Sequence, residues 1–247
     1  MTDDAQAPPE DASTAGDGIE ASNARWSFGG AVPDAFEDHI GKSVPGYREG
    51  HRMVAQLSDY FVRDGSLVYE IGCSTGALCR TLAGHNEAKQ PRIVGLEVEP
   101  AMVRVARERC AEHPNITIEQ ADALAYPLEP CDMVVSYYTM QFVRPAMRQA
   151  LFDRIYEALE WGGAFVMFEK VRGPDARFQD ILTALYNDFK LANGYDEREI
   201  VTKTRSLKGV LEPFSTQGNM DMMLRAGFED RMTVFKHLCF EGFLAIK

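Results

Sequence analysis

The order of apolar runs and helical stretches predicts an α/β protein. Its sheet has seven strands, mostly parallel and covered by helices on both faces, and ends in an antiparallel hairpin under a helical cap. Three observations lead there. Short apolar runs alternate with helical patterns between residues 67 and 168, as a series of strand–helix–strand units does. The two last runs, Met232–His237 and Phe240–Ile246, are separated only by Leu238 and Cys239, which leaves no room for a crossover helix and forces antiparallel pairing. A long amphipathic stretch, ARFQDILTALYNDFKLANGY, stands between the fifth run and that hairpin.

The elements follow in order. After a lead-in from residue 26, a helix is expected around 50–63. Leu67–Ile71 reads as a buried strand ended by a glycine-rich turn. Residues 77–84 suit a helix, and Arg92–Leu96 a second strand running into Glu97. Pro100 stands where a first helical turn accepts proline, and AMVRVARERCAEH continues with helical period. Ile116–Glu119 is a third strand, ending near Asp122, and Met133–Tyr138 a fourth, apolar on both faces. Ala146–Leu159 is amphipathic, and Gly162-Gly163 is expected to stop it. Ala164–Phe168 is the fifth strand. Residues 172–218 form an insert whose helix caps the carboxyl edge of the sheet, where open α/β sheets bind ligands. Residues 25–247 thus form one domain.

Composition narrows the function classes. The chain has 247 residues, 45% of them hydrophobic, enough for one sizeable core. Of the net charge of −11, six negative charges come from Asp3, Asp4, Glu10, Asp11, Asp17 and Glu20. No Lys or Arg and almost no large apolar side chain accompanies them, so residues 1–24 are expected to be a disordered acidic tail. That segment lacks the basic start and apolar run of a secretory signal, and no window reaches membrane-spanning length; a cytoplasmic protein is expected. An acidic body argues against tight, sequence-independent nucleic-acid binding. Cys73, Cys79, Cys110, Cys131 and Cys239 show no CxxC pair and no metal spacing, so reduced thiols and no metal are expected.

The turn after the first strand reads VYEIGCSTG. Its glycines, Gly72 and Gly76, stand four apart, so the G-x-G-x-x-G dinucleotide fingerprint is absent, and no G-K-[ST] follows for a phosphate loop. Glu70 before the turn repels phosphate and suits a ligand carrying an ammonium and a sulfonium, which points to S-adenosylmethionine (SAM). Glu97, 21 residues past Gly76, is placed to accept both ribose hydroxyls. Asp122 is placed to accept from the adenine amino group. Three acids at three successive strand ends are more specific than any one of them.

Several stretches together resemble a known family. SVPGY (43–47), EIGCSTG (70–76), TMQF (139–142), GGAFVMFEK (162–170) and NDFKLANGYDEREI (187–200) are similar to the carboxy-SAM synthases, and the likeness covers roughly 26–247. It implies the class I methyltransferase fold, usually a homodimer, and transfer of the carboxylate of prephenate onto the SAM methyl carbon for wobble-uridine modification in tRNA. Carried over by position, it implies SAM contacts at Tyr47, at Gly72, Cys73 and Ser74, at Glu97 and Val98 (Asp-Asn is usual), and at Asp122 and Ala123. Three positions depart. Tyr137 stands where the resemblance expects Asn, Leu191 where it expects Arg, and Thr204 where it expects the Arg that pairs with the new carboxylate. Arg205 lies one residue further on.

Two enzymatic readings follow, and a third outside catalysis. The departures favour a SAM-dependent methyltransferase for a small-molecule acceptor, with Tyr137 and Tyr138, and more weakly His51, as aligners or bases and Tyr137 facing the methyl. In the second reading the synthase activity survives, with Arg205 doing the pairing. In the third the chain binds SAM without turnover. No NPPY or DPPY tetrad follows the fourth strand, which disfavours amino-methylation of a flipped base.

Overall fold

Continuous burial along the central strands, with successive side chains on opposite faces, builds a core on both sides of the sheet. The computed structural model describes residues 32–247 and, before them, 15, 23, 24 and 26–29. The tail expected over 1–24 lies outside the described residues except at 15, 23 and 24. Strands β1 (Leu67–Ile71), β2 (Arg92–Glu97), β3 (Ile116–Gln120), β4 (Cys131–Tyr137), β5 (Leu159–Lys170), β6 (Asp230–His237) and β7 (Phe240–Ile246) form one sheet in the order β3-β2-β1-β4-β5-β7-β6. The first five pair in parallel, and β7 runs antiparallel to both β5 and β6.

On one face Val68, Met133, Val135, Val166 and Phe168 join the first core layer. Helices α2 (Tyr47–Ser58), α3 (Ala77–His85) and α4 (Pro100–Cys110) belong to that face, with α1 (Val32–Ser43) packing on α2 and α4. On the other face Tyr69, Ile71, Val134, Phe165 and Met167 meet α5 (Pro145–Ala158) and α8 (Thr216–Ala226). Central strands buried on both sides read as continuous apolar runs, which is why β4 and β5 were legible as strands.

Three differences from the sequence expectation have physical causes. Helix α5 ends at Ala158 because Leu159 is already extended (φ −68°, ψ 137°). Gly162 and Gly163 therefore lie inside β5 rather than stopping the helix. A Cβ on Gly163 would come within 2.9 Å of the Asp132 and Glu160 carbonyl oxygens, so glycine permits the close approach of β5 to its neighbour. The insert holds a second helix beyond α6 (Ala176–Ala192), namely α7 (Glu197–Ser206). The D-x-x-E signature announces it: Asp196 accepts from the Glu199 N–H (2.8 Å) and Glu199 from the Asp196 N–H (2.9 Å), a reciprocal cap. Helix α8 begins within the expected insert yet packs on α5 as part of the sheet cover.

The insert closes on itself at a neck. Arg172 bridges Ser215, and the Arg172 N–H donates to the Phe214 carbonyl at 2.9 Å. The fully buried Arg148 of α5 stacks its guanidinium 4.5 Å from the Phe214 ring centre and donates to the carbonyls of Val143 (2.8 Å) and Gln141 (3.0 Å). One charged side chain therefore ties α5, the loop after β4 and the neck together.

Gly50 on α2 makes a notch for Tyr137 at the end of β4: a Cβ there would lie 2.1 Å from the Tyr137 hydroxyl and 3.0 Å from the Phe168 ring. Helix propensity alone would favour alanine by about 1 kcal/mol, but overpacking of this kind costs about 1–3 kcal/mol and wins. Gly50→Ala is expected to lower the melting temperature, and Tyr137→Phe in the same chain to restore part of the loss, as read by thermal unfolding of both variants.

Candidate functional site

The carboxyl ends of β1, β2 and β3 and the cap helices enclose a cavity of about 730 Å³, within the range of small-ligand sites. The turn after β1 forms its floor. Gly72 (φ +71°) turns the chain so that its N–H and that of Cys73 both donate to the Leu96 carbonyl, at 2.8 and 3.1 Å. A Cβ on Gly72 would lie 2.3 Å from Thr139, so only glycine fits between the turn and the loop after β4. Ser74 (φ +51°) continues the left-handed turn. Its N–H donates to Glu97 Oε2 at 2.8 Å.

Glu97 is held by three backbone amides. Besides Ser74, the N–H groups of Val98 (2.9 Å) and Glu99 (3.0 Å) donate to its Oε1. Burial still pushes its carboxyl above the usual range, against those amides. Asp122, exposed at the rim, accepts the Leu124 N–H at 2.9 Å, with Ala123 buried beside it. Glu70 is the deepest of the three. It lines the cavity at 3% exposure, and the Cys79 thiol of α3 donates to its Oε2 at 2.8 Å. Burial pushes the Glu70 carboxyl up to about 8, the Cys79 hydrogen bonds opposing it and the Glu97 charge adding to it. Cys79 was not anticipated as part of the site; its place in the first helical turn after Gly76, facing back to the strand end, is the signal that marks it.

An aromatic wall faces the acids. Tyr47 packs at a tilt on His51 (4.7 Å between ring centres), edge-on to Tyr137 (5.3 Å) and stacked on Tyr138 (6.3 Å). The Tyr137 hydroxyl donates to the Tyr47 carbonyl at 2.5 Å. Burial, reinforced by Tyr138 and Tyr47, pushes the Tyr137 phenol far above its ordinary value, so the side chain aligns its neighbours and is not a ready base. Tyr138 adopts a left-handed backbone (φ +58°), and its buried hydroxyl has no hydrogen-bond partner among the described residues. Burial pushes the His51 imidazole down to about 4; it is neutral and lies outside this cavity, against a smaller pocket behind Tyr47.

The structure thus brings Tyr47, Glu70, Gly72, Cys73, Ser74, Glu97, Val98, Asp122, Ala123, Tyr137 and Tyr138 to one cavity. Gly76 (φ +75°) serves differently: it starts α3 from a left-handed conformation and does not line the cavity. Arg205 is not brought in. It lies on α7 outside the lining, whereas Thr204, exposed like Arg205, lines the cavity's rim, because one residue turns a helix by about 100°. Leu191 is also exposed. On the cap side, Lys170, Lys190, Lys203 and Lys208 line the cavity.

A sheet of this order with an acid-ringed cavity at its carboxyl edge defines the class I SAM-dependent methyltransferases. A methyltransferase-domain family model matches residues 68–163. The fold is shared with human N-acetylserotonin methyltransferase in complex with SAM (TM-score 0.61, 18% identity, 87% of this chain and 54% of that one). It is shared also with a Haemonchus contortus phosphoethanolamine N-methyltransferase in complex with SAM (TM-score 0.59, 17% identity, 87% and 56%). Carboxy-S-adenosyl-L-methionine synthases of Salmonella paratyphi C and Yersinia pestis are each 35% identical over 229 residues, covering 90% of this chain and 91% and 84% of theirs. The chain belongs to the carboxy-SAM synthase family. It is a SAM-dependent transferase, with SAM as its cofactor or co-substrate.

Glu70 titrates with a definite sign. Its folded value lies above that of an unfolded carboxyl, so its contribution to stability is full in acid and is lost as the pH rises through about 8. A cation bound beside it favours the ionised form. SAM binding at pH 7 is therefore expected to release close to one proton, and almost none well above pH 8, as read by calorimetry in buffers of different ionisation heat. Glu70→Gln abolishes the release.

Proposed function

We propose that the chain transfers the methyl group of SAM to a small-molecule acceptor held beneath the cap. The observation that carries this reading is the neutral Thr204 at the cavity wall with Arg205 turned to solvent. The family resemblance expects a guanidinium at position 204 to hold a carboxylated methyl, and among the described residues Thr204 stands there in its place.

The binding residues fit the ligand. Glu70 and Glu97 supply negative charge for an ammonium and for ribose hydroxyls, Asp122 an acceptor for an adenine amino group, and Gly72 a backbone without side-chain obstruction. SAM supplies an electrophilic methyl on a good leaving group. The protein's part is alignment and exclusion of water. Tyr47 and Tyr137 form a fixed aromatic block beside Glu70, held by the Tyr137–Tyr47 hydrogen bond, and Tyr138 extends it toward the cap. The reading includes a cytoplasmic homodimer: five free, buried thiols suit a reducing compartment, and the exposed Phe178, Ile181 and Leu185 of α6 offer an apolar face. Among the described residues no helix is long and apolar enough to cross a membrane.

A second reading, retained carboxy-SAM synthesis, is favoured by the 35% identity to proteins of that name. Incubating the purified chain with SAM and prephenate separates the two. Under the first reading neither phenylpyruvate nor a nucleoside heavier than SAM by one CO₂ accumulates; the appearance of both overturns it. Glu97→Ala is expected to weaken SAM binding tenfold or more under either reading, since charge-assisted hydrogen bonds contribute about 1.5–3 kcal/mol each, as calorimetric titration measures.

A further inference from the structure

Lys190 of α6 lines the cavity at 4% exposure and shares one aromatic ring with a second lysine, Lys170, the last residue of β5. Nζ of Lys190 lies 4.4 Å and Nζ of Lys170 4.3 Å from the centre of Tyr186. Among the described residues neither nitrogen has a carboxylate partner or a hydrogen-bond acceptor. Lys190 is faced by Lys170 from β5 and by Cys239 from the β6–β7 turn, and Lys170 also by Lys208 beyond α7. Tyr186 is fixed by donating its hydroxyl to the Ser43 carbonyl at 2.8 Å. Burial pushes its phenol up, so the platform under the two lysines carries no charge.

A lysine in water is kept unreactive by its proton. Withdrawal from water and a second cation nearby both disfavour that proton, and Lys190 has both. Burial first, and then the Lys170 charge, push the Lys190 ammonium down to about 8, with Cys239 opposing. At pH 7 about a tenth of the molecules then carry a neutral amine there, against on the order of one in a few thousand for a solvated lysine. Burial also pushes the Cys239 thiol up, so its sulfur stays protonated and the amine is the nucleophile of this corner. A desolvated lysine beside another cation is suited to attack a carbonyl carbon. The edge-on rings of Tyr186, Phe240 and Tyr138 offer an apolar wall that keeps water from the product of such an attack.

We infer that Lys190 is a nucleophilic amine that captures a small neutral aldehyde or ketone as an imine, with the apolar body of the ligand against Tyr186, Phe240 and Tyr138. The Lys190 lone pair adds to the carbonyl carbon, and the carbonyl oxygen takes up a proton to give a carbinolamine. The carbon–oxygen bond then breaks, water leaves, and a carbon–nitrogen double bond remains. Both protons of the Lys190 nitrogen end on that water, relayed through Lys170, which is left as it began. Nothing is oxidised or reduced. This capture goes beyond the functional reading and does not require SAM.

The test is reductive trapping on the full chain. The protein is incubated with phenylacetaldehyde and sodium cyanoborohydride, which reduces an imine and fixes the ligand, and the alkylated lysines are located by peptide mass spectrometry. At pH 7 Lys190 is expected to be alkylated at least tenfold faster than the exposed Lys42 and Lys208. Its rate rises with a midpoint near pH 8, theirs only at about pH 10. Lys170→Met slows the trapping at pH 7 severalfold and moves the Lys190 midpoint upward, because the opposing cation is gone. Without cyanoborohydride no adduct survives acid. Alkylation of Lys190 no faster than that of the exposed lysines, a midpoint in their range, an unmoved midpoint in Lys170→Met, or modification of Cys239 in place of Lys190 overturns the inference. Failure of S-adenosylhomocysteine to bind, with Lys190 still trapped, overturns the functional reading instead and leaves the nucleophilic amine standing.

Discussion

Glu70 is shut away from water at the end of β1, and much of the site is arranged around keeping it there. Its register position opposite Gly95 and Val135 puts it at the middle of the sheet, where a carboxylate is expensive to ionise. Among the described residues no lysine or arginine pairs with it. The fold supplies a thiol donor from α3 and leaves the rest of the demand open. A cavity whose deepest group lacks a cation is complementary to one, and the glycine turn that follows keeps backbone bulk out of the way. The amides gathered on Glu97 do the opposite work, fixing a second carboxylate in one orientation so that it meets a ligand without reorganisation.

The other half of the cavity is built by packing rather than by the sheet alone. Gly50 gives Tyr137 its space, Tyr137 pins the start of α2 through the Tyr47 carbonyl, and Tyr138 is held in a left-handed backbone beneath the cap. Such a conformation for a bulky residue persists only where its surroundings over-determine it. The three tyrosines therefore behave as one block, and the departure from asparagine at Tyr137 is accommodated by space on the neighbouring helix.

The sheet was readable from residue patterns because its strands are short, apolar on both faces and punctuated by glycine or acids; their limits shifted by only a residue or two, β5 apart. The strand-end acids were readable for the same reason, since position after a strand fixes where a side chain stands. What escaped were features that depend on angle around a helix. Whether Thr204 or Arg205 lines the cavity is decided by the phase of α7, which its capping box sets at Asp196. The entry into β5 was misread because two glycines look like a helix stop when their close contact with the Asp132 carbonyl is unseen. Cys79 escaped because its meeting with Glu70 depends on the phase of α3, and α1 because its first turns offer few large apolar side chains.

The neck at Arg172, Phe214 and Ser215 bears on how such a scaffold diversifies. Both ends of the cap meet at this clasp, so the segment between them is a closed loop, braced further by Tyr186 and Tyr195 against Ser43, and the free energy of closing a loop grows only slowly with its length. Residues within the loop can be replaced, lengthened or rearranged while the sheet and its strand-end acids stay as they are. The strand-end acids and the cap are thereby separately variable parts of one chain.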